Sequence, residues 1–362
     1  MTTRPQTTGG DAGFSIVEVV VASALLLLVA AAMLDLANPL MDAAVSQPEA
    51  ADLQQRARAA AISMFRDLHV AGAGPDRGAV SGPLGRYFAA VLPRRIGAEA
   101  PDAPAVARSD VVSIIWVPVT NVQATLAAPF SASSMTLGSE PGCPPARPAC
   151  GATVGMGIAL FDRAGYFDLF TVEAVDPSGV TVRARGASSS HAYADTARVV
   201  EVEARTYYVD TVAGQLRMYD TDRTDSPVMD DVVSMTVEYF GTAAPPSFPK
   251  PAIGEANCLY DGGGGRLPGM SVLAPGEDGL APLPTALFTD GPWCGAGSTM
   301  YDADLLRVRR VRIVLRLQVS SPALRGAGDQ FANAGIARTA ARLVPDVAVS
   351  FDVSLRNVEG VE

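Results

Sequence analysis

The chain has 362 residues, with 28 Lys and Arg against 38 Asp and Glu, and so a formal net charge of −10 at neutral pH. That balance argues against nucleic-acid binding driven by net charge, and no nucleic-acid partner is expected. Its two histidines, His69 and His191, stand in no recognisable nucleophile motif, so an enzyme is not expected either.

The first element in chain order is the apolar run from Gly13 to Leu34, GFSIVEVVVASALLLLVAAAML, broken by one carboxylate, Glu18. At about 1.5 Å rise per residue, a helix from Phe14 to Leu34 is roughly 31 Å long, the thickness of a bilayer's hydrocarbon core. A carboxylate at the centre of such a helix costs roughly 2.5 to 3.5 kcal/mol, less near its end, so Glu18 calls for a partner or a functional reason. No basic side chain within the run supplies one. A secretory signal peptide fits poorly: the leader holds only Arg4, the apolar run is too long, and an acid sits inside it. A plain signal anchor fits the length but leaves Glu18 and the polar, glycine-ended leader unexplained.

Gly13, Phe14 and Glu18, in the order GFSIVE, resemble the class III signal of type IV pilins and pseudopilins. The resemblance implies that a prepilin peptidase cuts after Gly13 on the cytoplasmic side and that the new amino group of Phe14 is methylated. Glu18 then takes the place of the family's acid, paired with the charged amino terminus of an adjoining subunit. Such a pair explains why a carboxylate is tolerated in lipid.

From about Ala50 to Ala71, Leu53, Ala57, Ala60, Met64 and Leu68 recur at helical spacing and make one apolar stripe. Arg56, Ser63, Arg66 and Asp67 fall largely off it, the pattern of a helix packed on one side. Pro39 and Pro48 are expected to kink or interrupt the connection between the two helical parts. GAGPD, residues 72–76, ends the helix.

The remainder changes to a period near two. Val347, Val349, Phe351, Val353 and Leu355 alternate with polar or small residues, as do Val233, Met235, Val237 and Tyr239. Further strands are expected at 111–117, 166–175, 180–185, 199–209 and 306–319, with Asp176 to Gly179 as a tight hairpin turn. In the last of these strands Leu306 and Val308 fall in one parity and Val311, Ile313, Leu315 and Leu317 in the other. A bulge at Arg309 and Arg310 returns both sets to one face. Arginines 307, 309, 310, 312 and 316 then form either a solvated face or a docking surface for an acidic group.

Between Gly241 and Met300, Pro, Gly and small residues dominate, and a long loop insertion is expected. Cys143 and Cys150 lie in one loop region, Cys258 and Cys294 in another. In an oxidising compartment they read as disulfide staples, although four cysteines permit three pairings. Asp220, Asp222 and Asp225, with Asp230 and Asp231, form an acid cluster that reads as a polar turn or, less favourably, as a calcium site. No other cofactor is expected.

FRDLHVAGAG after the helix, RMYD followed by VVSMTVEYF, and the terminal VSFDVSLRN are similar to PilW-type minor pilins and the related J-type pseudopilins of type II secretion. The resemblance implies an α+β, pilin-like fold: a long N-terminal helix, its first half transmembrane, packed on a mainly antiparallel β head with long disulfide-stapled loops. It divides the chain into a leader (1–13), a transmembrane helix (14–37), its amphipathic continuation (38–74) and a periplasmic head (75–362). The expected partners are other major and minor pilins or pseudopilins, prepilin peptidase, the inner-membrane assembly platform and membrane lipid. The expected location is the inner membrane, single pass, and after assembly a filament tip. A priming subunit of a type IV pilus is the expected role, with a secretion pseudopilin, or a tip adhesin or DNA-binding module, as alternatives.

Overall fold

The computed structural model describes residues 13–75, 82–120, 122–130, 133–138, 147–187 and 190–358. One helix, α1 (Ile16–Val70), runs unbroken for 55 residues. Neither Pro39 nor Pro48 ends it, so the interruption named among the expectations from sequence does not occur. Each ring removes one N–H from the helical ladder, but its fixed φ near −65° is itself a helical value, so the backbone continues.

In chain order the strands are β1 (Val91–Leu92), β2 (Val111–Trp116), β3 (Gln123–Thr125), β4 (Ser134–Thr136), β5 (Gly157–Phe161) and β6 (Phe167–Asp176). Then come β7 (Gly179–Ala184), β8 (Arg198–Glu201), β9 (Glu203–Asp210), β10 (Gln215–Tyr219), β11 (Asp225–Asp230) and β12 (Val232–Gly241). The last are β13 (Ala281–Leu283), β14 (Trp293–Cys294), β15 (Tyr301–Asp302), β16 (Val308–Leu317) and β17 (Val347–Ser354). They form sheets ordered β1-β2-β9-β10-β11, β13-β12-β16-β17 and β3-β8-β5-β6-β7-β4, with β14-β15 as a separate pair. Every pairing among the described residues is antiparallel. The class is α+β.

The chain separates into two compact units, one of Met1–Asp52 with Val319–Pro345, the other of Leu53–Gln318 with Asp346–Glu362. In the second unit Leu53, Ala57, Ala60, Met64 and Leu68 are all buried, so the predicted stripe is the packed face of α1. Asp67 is buried as well, although it falls beside the stripe. Strand β9 reaches it: Arg205 Nη1 donates to its two oxygens at 3.0 and 2.9 Å, and the Tyr207 hydroxyl donates to Oδ2 at 2.7 Å. Burial, and after it the Asp67 charge, push the Tyr207 phenol well above its ordinary pKa and keep it a donor.

Two strand expectations need correction. The stretch 199–209 is not one strand: β8 pairs with β5 and β3, whereas β9 joins β2 and β10 in another sheet, and the chain changes sheets at Val202. Val200, Val202, Ala204 and Thr206 are all buried and alternate with Glu201, Glu203 and Arg205, so one unbroken period of two conceals the change of partner. Nor is the acidic segment only a connection, because 225–230 forms β11. It is an edge strand, where Pro227 removes no needed ladder donor.

The proposed bulge lies in β16. Phe240 pairs with Arg310 and Gly241 with Val308, so Arg309 is the extra residue, and Val308, Val311, Ile313, Leu315 and Leu317 share the buried face. The strand starts at Val308, since Ala303–Arg307 forms a 3-10 turn. Gly241, opposite the bulge, is sterically required: a Cβ there would stand 2.2 Å from the Arg307 carbonyl oxygen.

Candidate functional site

The start of α1 holds the residues of the GFSIVE motif. Among the described residues, no atom lies within 4 Å of a Cβ built on Gly13. Phe14 and Ile16 are both more than four-fifths exposed, and Val17 is exposed. Ser15 caps the helix, its Oγ accepting the Val17 N–H at 3.2 Å. Glu18 answers from the N3 position, where Oε2 accepts the Ser15 N–H at 3.0 Å. The pair is a reciprocal capping box, and a carboxylate in the first turn also complements the positive end of the helix dipole. Sequence reasoning found Glu18 through its motif and missed this second role, although S-x-x-E before an apolar run is the signature of such a cap.

Beyond the cap, Val19 to Val21, Leu25 to Val29, Met33, Leu34 and Leu36 are exposed. The helix is long and apolar enough to cross a membrane. Ser23 returns its hydroxyl to the Val19 carbonyl at 2.7 Å, which satisfies that polar group within the helix.

The cysteines behave partly as expected. Cys258 and Cys294 form a disulfide with Cα atoms 5.0 Å apart, closing a 36-residue separation within the insertion. Cys150 is disulfide-bonded, and Cys143 lies outside the described residues. The insertion is not structureless, since β13 adds to the edge of β12 and β14 carries Cys294.

Asp220, Asp222 and Asp225 do not converge. Asp220 Oδ1 accepts the N–H groups of Asp222, Arg223 and Thr224 at 2.9, 3.0 and 3.0 Å, the geometry of an Asx turn. Asp222 accepts from Arg183 at 2.7 Å and Thr171 at 3.0 Å. Asp225 accepts from Arg217 at 3.0 Å and Tyr208 at 2.5 Å. Burial pushes the last two carboxyls up, but these hydrogen bonds outweigh it and hold both below the ordinary range. Asp231 pairs instead with Arg56 of α1 at 3.0 Å, and Asp230 accepts from Gln215 at 2.7 Å.

Among the described residues, the one group of three acids close enough to hold a metal ion is elsewhere: Asp290, Asp302 and Asp304, with carboxylate oxygens within 4.8 Å of one another. Its two buried members are already occupied. Asp302 accepts from Gly291 N at 2.7 Å and Asp304 N at 2.9 Å, and Asp304 faces the buried Arg307 at 2.6 Å. Burial raises the Asp302 carboxyl and raises that of Asp304 to about 6.

The arginines of β16 and its approach are also partnered. Arg307 is buried and donates to the carbonyls of Ala243 and Ser271. Arg309 turns back onto the Leu306 and Val308 carbonyls. Arg310 meets Asp278 at 2.5 Å, Arg312 meets Asp352 at 2.7 Å and Arg316 meets Asp346 at 2.9 Å. Arg310, Arg312 and Arg316 thus make an ion-paired sheet face.

His69 is half-buried and stacks on Phe65. His191 is more constrained than a loop histidine need be. Its ring lies parallel to Tyr166 with centroids 3.7 Å apart, its Nε2 is 2.6 Å from Asp162 Oδ2, and Tyr193 packs edge-on. Asp162, Tyr166 and His191 border an open cavity of about 600 Å³ that Arg163 and Glu255 also line. Nothing in the Ser-rich sequence around His191 announced this, because Asp162 and Tyr166 come from the β5–β6 turn.

Comparison with protein-family models, curated proteins and solved structures finds no match.

Proposed function

We propose that the chain is a filament subunit of the type IV pilin class, acting as a minor pilin at or near a tip. The carrying observation is the position of GFSIVE at the mouth of one unbroken helix whose first part is exposed and apolar and whose stripe from Leu53 to Leu68 is buried. In this reading a prepilin peptidase cuts after Gly13, Phe14 becomes the methylated amino terminus, and the chain is held in the inner membrane by residues 14–37 until an assembly platform extracts it. Glu18 keeps its cap and, through its second oxygen, pairs with the charged amino terminus of a neighbour. A charge-assisted bond of that kind is worth about 1.5–3 kcal/mol. Gly13→Val tests the processing step: an unchanged mature mass would refute it.

A second reading is favoured by the Asp162–Tyr166–His191 cavity, which suits a head that also binds a ligand at the tip. Tyr166→Ala should then abolish ligand capture by assembled filaments while leaving their number unchanged. A secretion pseudopilin shares the same working parts and differs in the machinery it serves.

A further inference from the structure

The first unit contains more than the helix. Residues 319–345 leave β16, make short 3-10 turns at Pro322–Leu324 and Ala340–Arg342, and return to β17. Leu324, Phe331 and Val344 are buried, and backbone bonds from Val344 N to Leu324 O, Ile336 N to Pro322 O and Ala337 N to Arg325 O close the loop on itself. Arg342 ties it to α1 through an ion pair with Asp42 at 2.5 Å. Beside that pair lies an open groove of about 460 Å³, lined by Asp42, Ile336, Arg338, Thr339 and Arg342 among others.

Four observations bear on what fills it. Asp42 is five residues past Ala37, so it lies about 7.5 Å along the helix from the end of the expected span. Headgroup layers extend about 5–7.5 Å beyond the hydrocarbon on each side, so Asp42 stands at their outer edge, and a Cβ on a helix tilts toward the N-terminus, here toward the membrane. The groove sets two guanidiniums against one carboxylate in a chain of net charge −10. Arg338 is exposed and makes no hydrogen bond or ion pair among the described residues, while Arg342 is half exposed beyond its contact with Asp42. Finally, Ile336 is 74% exposed at the groove's edge, and Leu40, Met41 and Val45 of α1 are exposed at the same level of the helix. Apolar side chains interleaved with arginines beside the end of a membrane span suit the bilayer interface, where the chain can dip and the guanidinium can bind phosphate.

We infer that the 319–345 loop is a membrane-surface clamp, with Ile336 entering the interface and Arg338 and Arg342 holding the phosphate of an anionic phospholipid. The inference rests on residues 14–37 spanning the membrane. It gives the loop a task before assembly: lipid occupies the groove while the subunit waits, and is shed when the subunit is drawn into a filament.

The test uses the full chain reconstituted into vesicles of phosphatidylcholine, with or without phosphatidylglycerol. An Ile336→Trp variant, corrected for the emission of Trp116 and Trp293 in the parent, reports depth through quenching by brominated lipid. Quenching should be stronger with brominated phosphatidylglycerol than with brominated phosphatidylcholine, and adding Arg338→Glu should reduce that preference at least about fivefold, the effect of losing one basic residue at an anionic surface. Native mass spectrometry should show retained phosphatidylglycerol falling by a similar factor in Arg338→Glu alone. A chain that resists alkaline extraction but shows no quenching at 336, equal quenching by both lipids, or a loop that cross-links to a second copy would overturn the clamp and leave the anchor standing. A chain removed by alkaline extraction would overturn both.

Discussion

The Glu18 carboxylate accepts the backbone N–H of Ser15 at 3.0 Å, so the acid expected to dock a neighbour also begins its own helix. The two roles separate by substitution. Glutamine can still complete a capping box but carries no charge, whereas valine can do neither. Glu18→Gln should insert normally yet join filaments at least about tenfold less well, because a lost charge-assisted bond exceeds the 1.4 kcal/mol that corresponds to tenfold. Glu18→Val should match or exceed that defect. Immunoblotting of sheared filaments against membranes measures both, and normal incorporation of the glutamine variant would assign Glu18 to capping alone.

Asp67 joins α1 to β9 through Arg205 and Tyr207. Asp67→Ala leaves the Tyr207 hydroxyl buried beside Arg205 without its acceptor, and should lower unfolding stability by about 2 kcal/mol. A denaturant titration checks this, and a loss below about 0.5 kcal/mol, the scale of a surface substitution, would contradict it.

At the β16 bulge, Gly241→Ala places a methyl group against backbone rather than against a flexible side chain. A cost of at least about 2 kcal/mol is expected, as for overpacking in a close-packed interior. Arg309→Ala, on the same bulge but half-exposed, should cost less. Equal unfolding midpoints for the two variants would count against the steric account.

Burial holds the Asp304 carboxyl at about 6, against about 3.9 in an unfolded chain. The folded state therefore binds that proton more tightly, so this contribution to stability is full below about pH 4 and lost as the pH rises to about 6. Asp222 and Asp225 are held low and act in the opposite sense, adding stability above about pH 4 that disappears as pH falls further. Comparing the wild type with Asp304→Asn isolates the first effect. The wild type's relative stability should decline between about pH 4 and 6 in urea titrations, and a constant difference would refute the assignment.

Much of this architecture was legible where one period governed a segment. Leu53 to Leu68 repeat at helical spacing and are buried, Val347 to Val353 alternate in β17, and the parity slip at Arg309 marked the bulge. What was hidden depends on distant partners. Asp67 looked peripheral because its partner Arg205 is 138 residues away. The sheet change at Val202 and the edge strand β11 lacked a local signal, since one segment keeps a single alternation across the change of partner and the other is polar and proline-containing. Of the candidate site, Glu18 was visible as a motif, whereas its bond to Ser15 and the stacking of Tyr166 on His191 emerge only once the chain is folded.

The most direct test is mass spectrometry of the amino terminus of the chain purified from its own membranes. Cleavage after Gly13 with one methyl group on the Phe14 nitrogen is the predicted result. A chain that retains Gly13, or that begins elsewhere within the apolar run, would contradict the account.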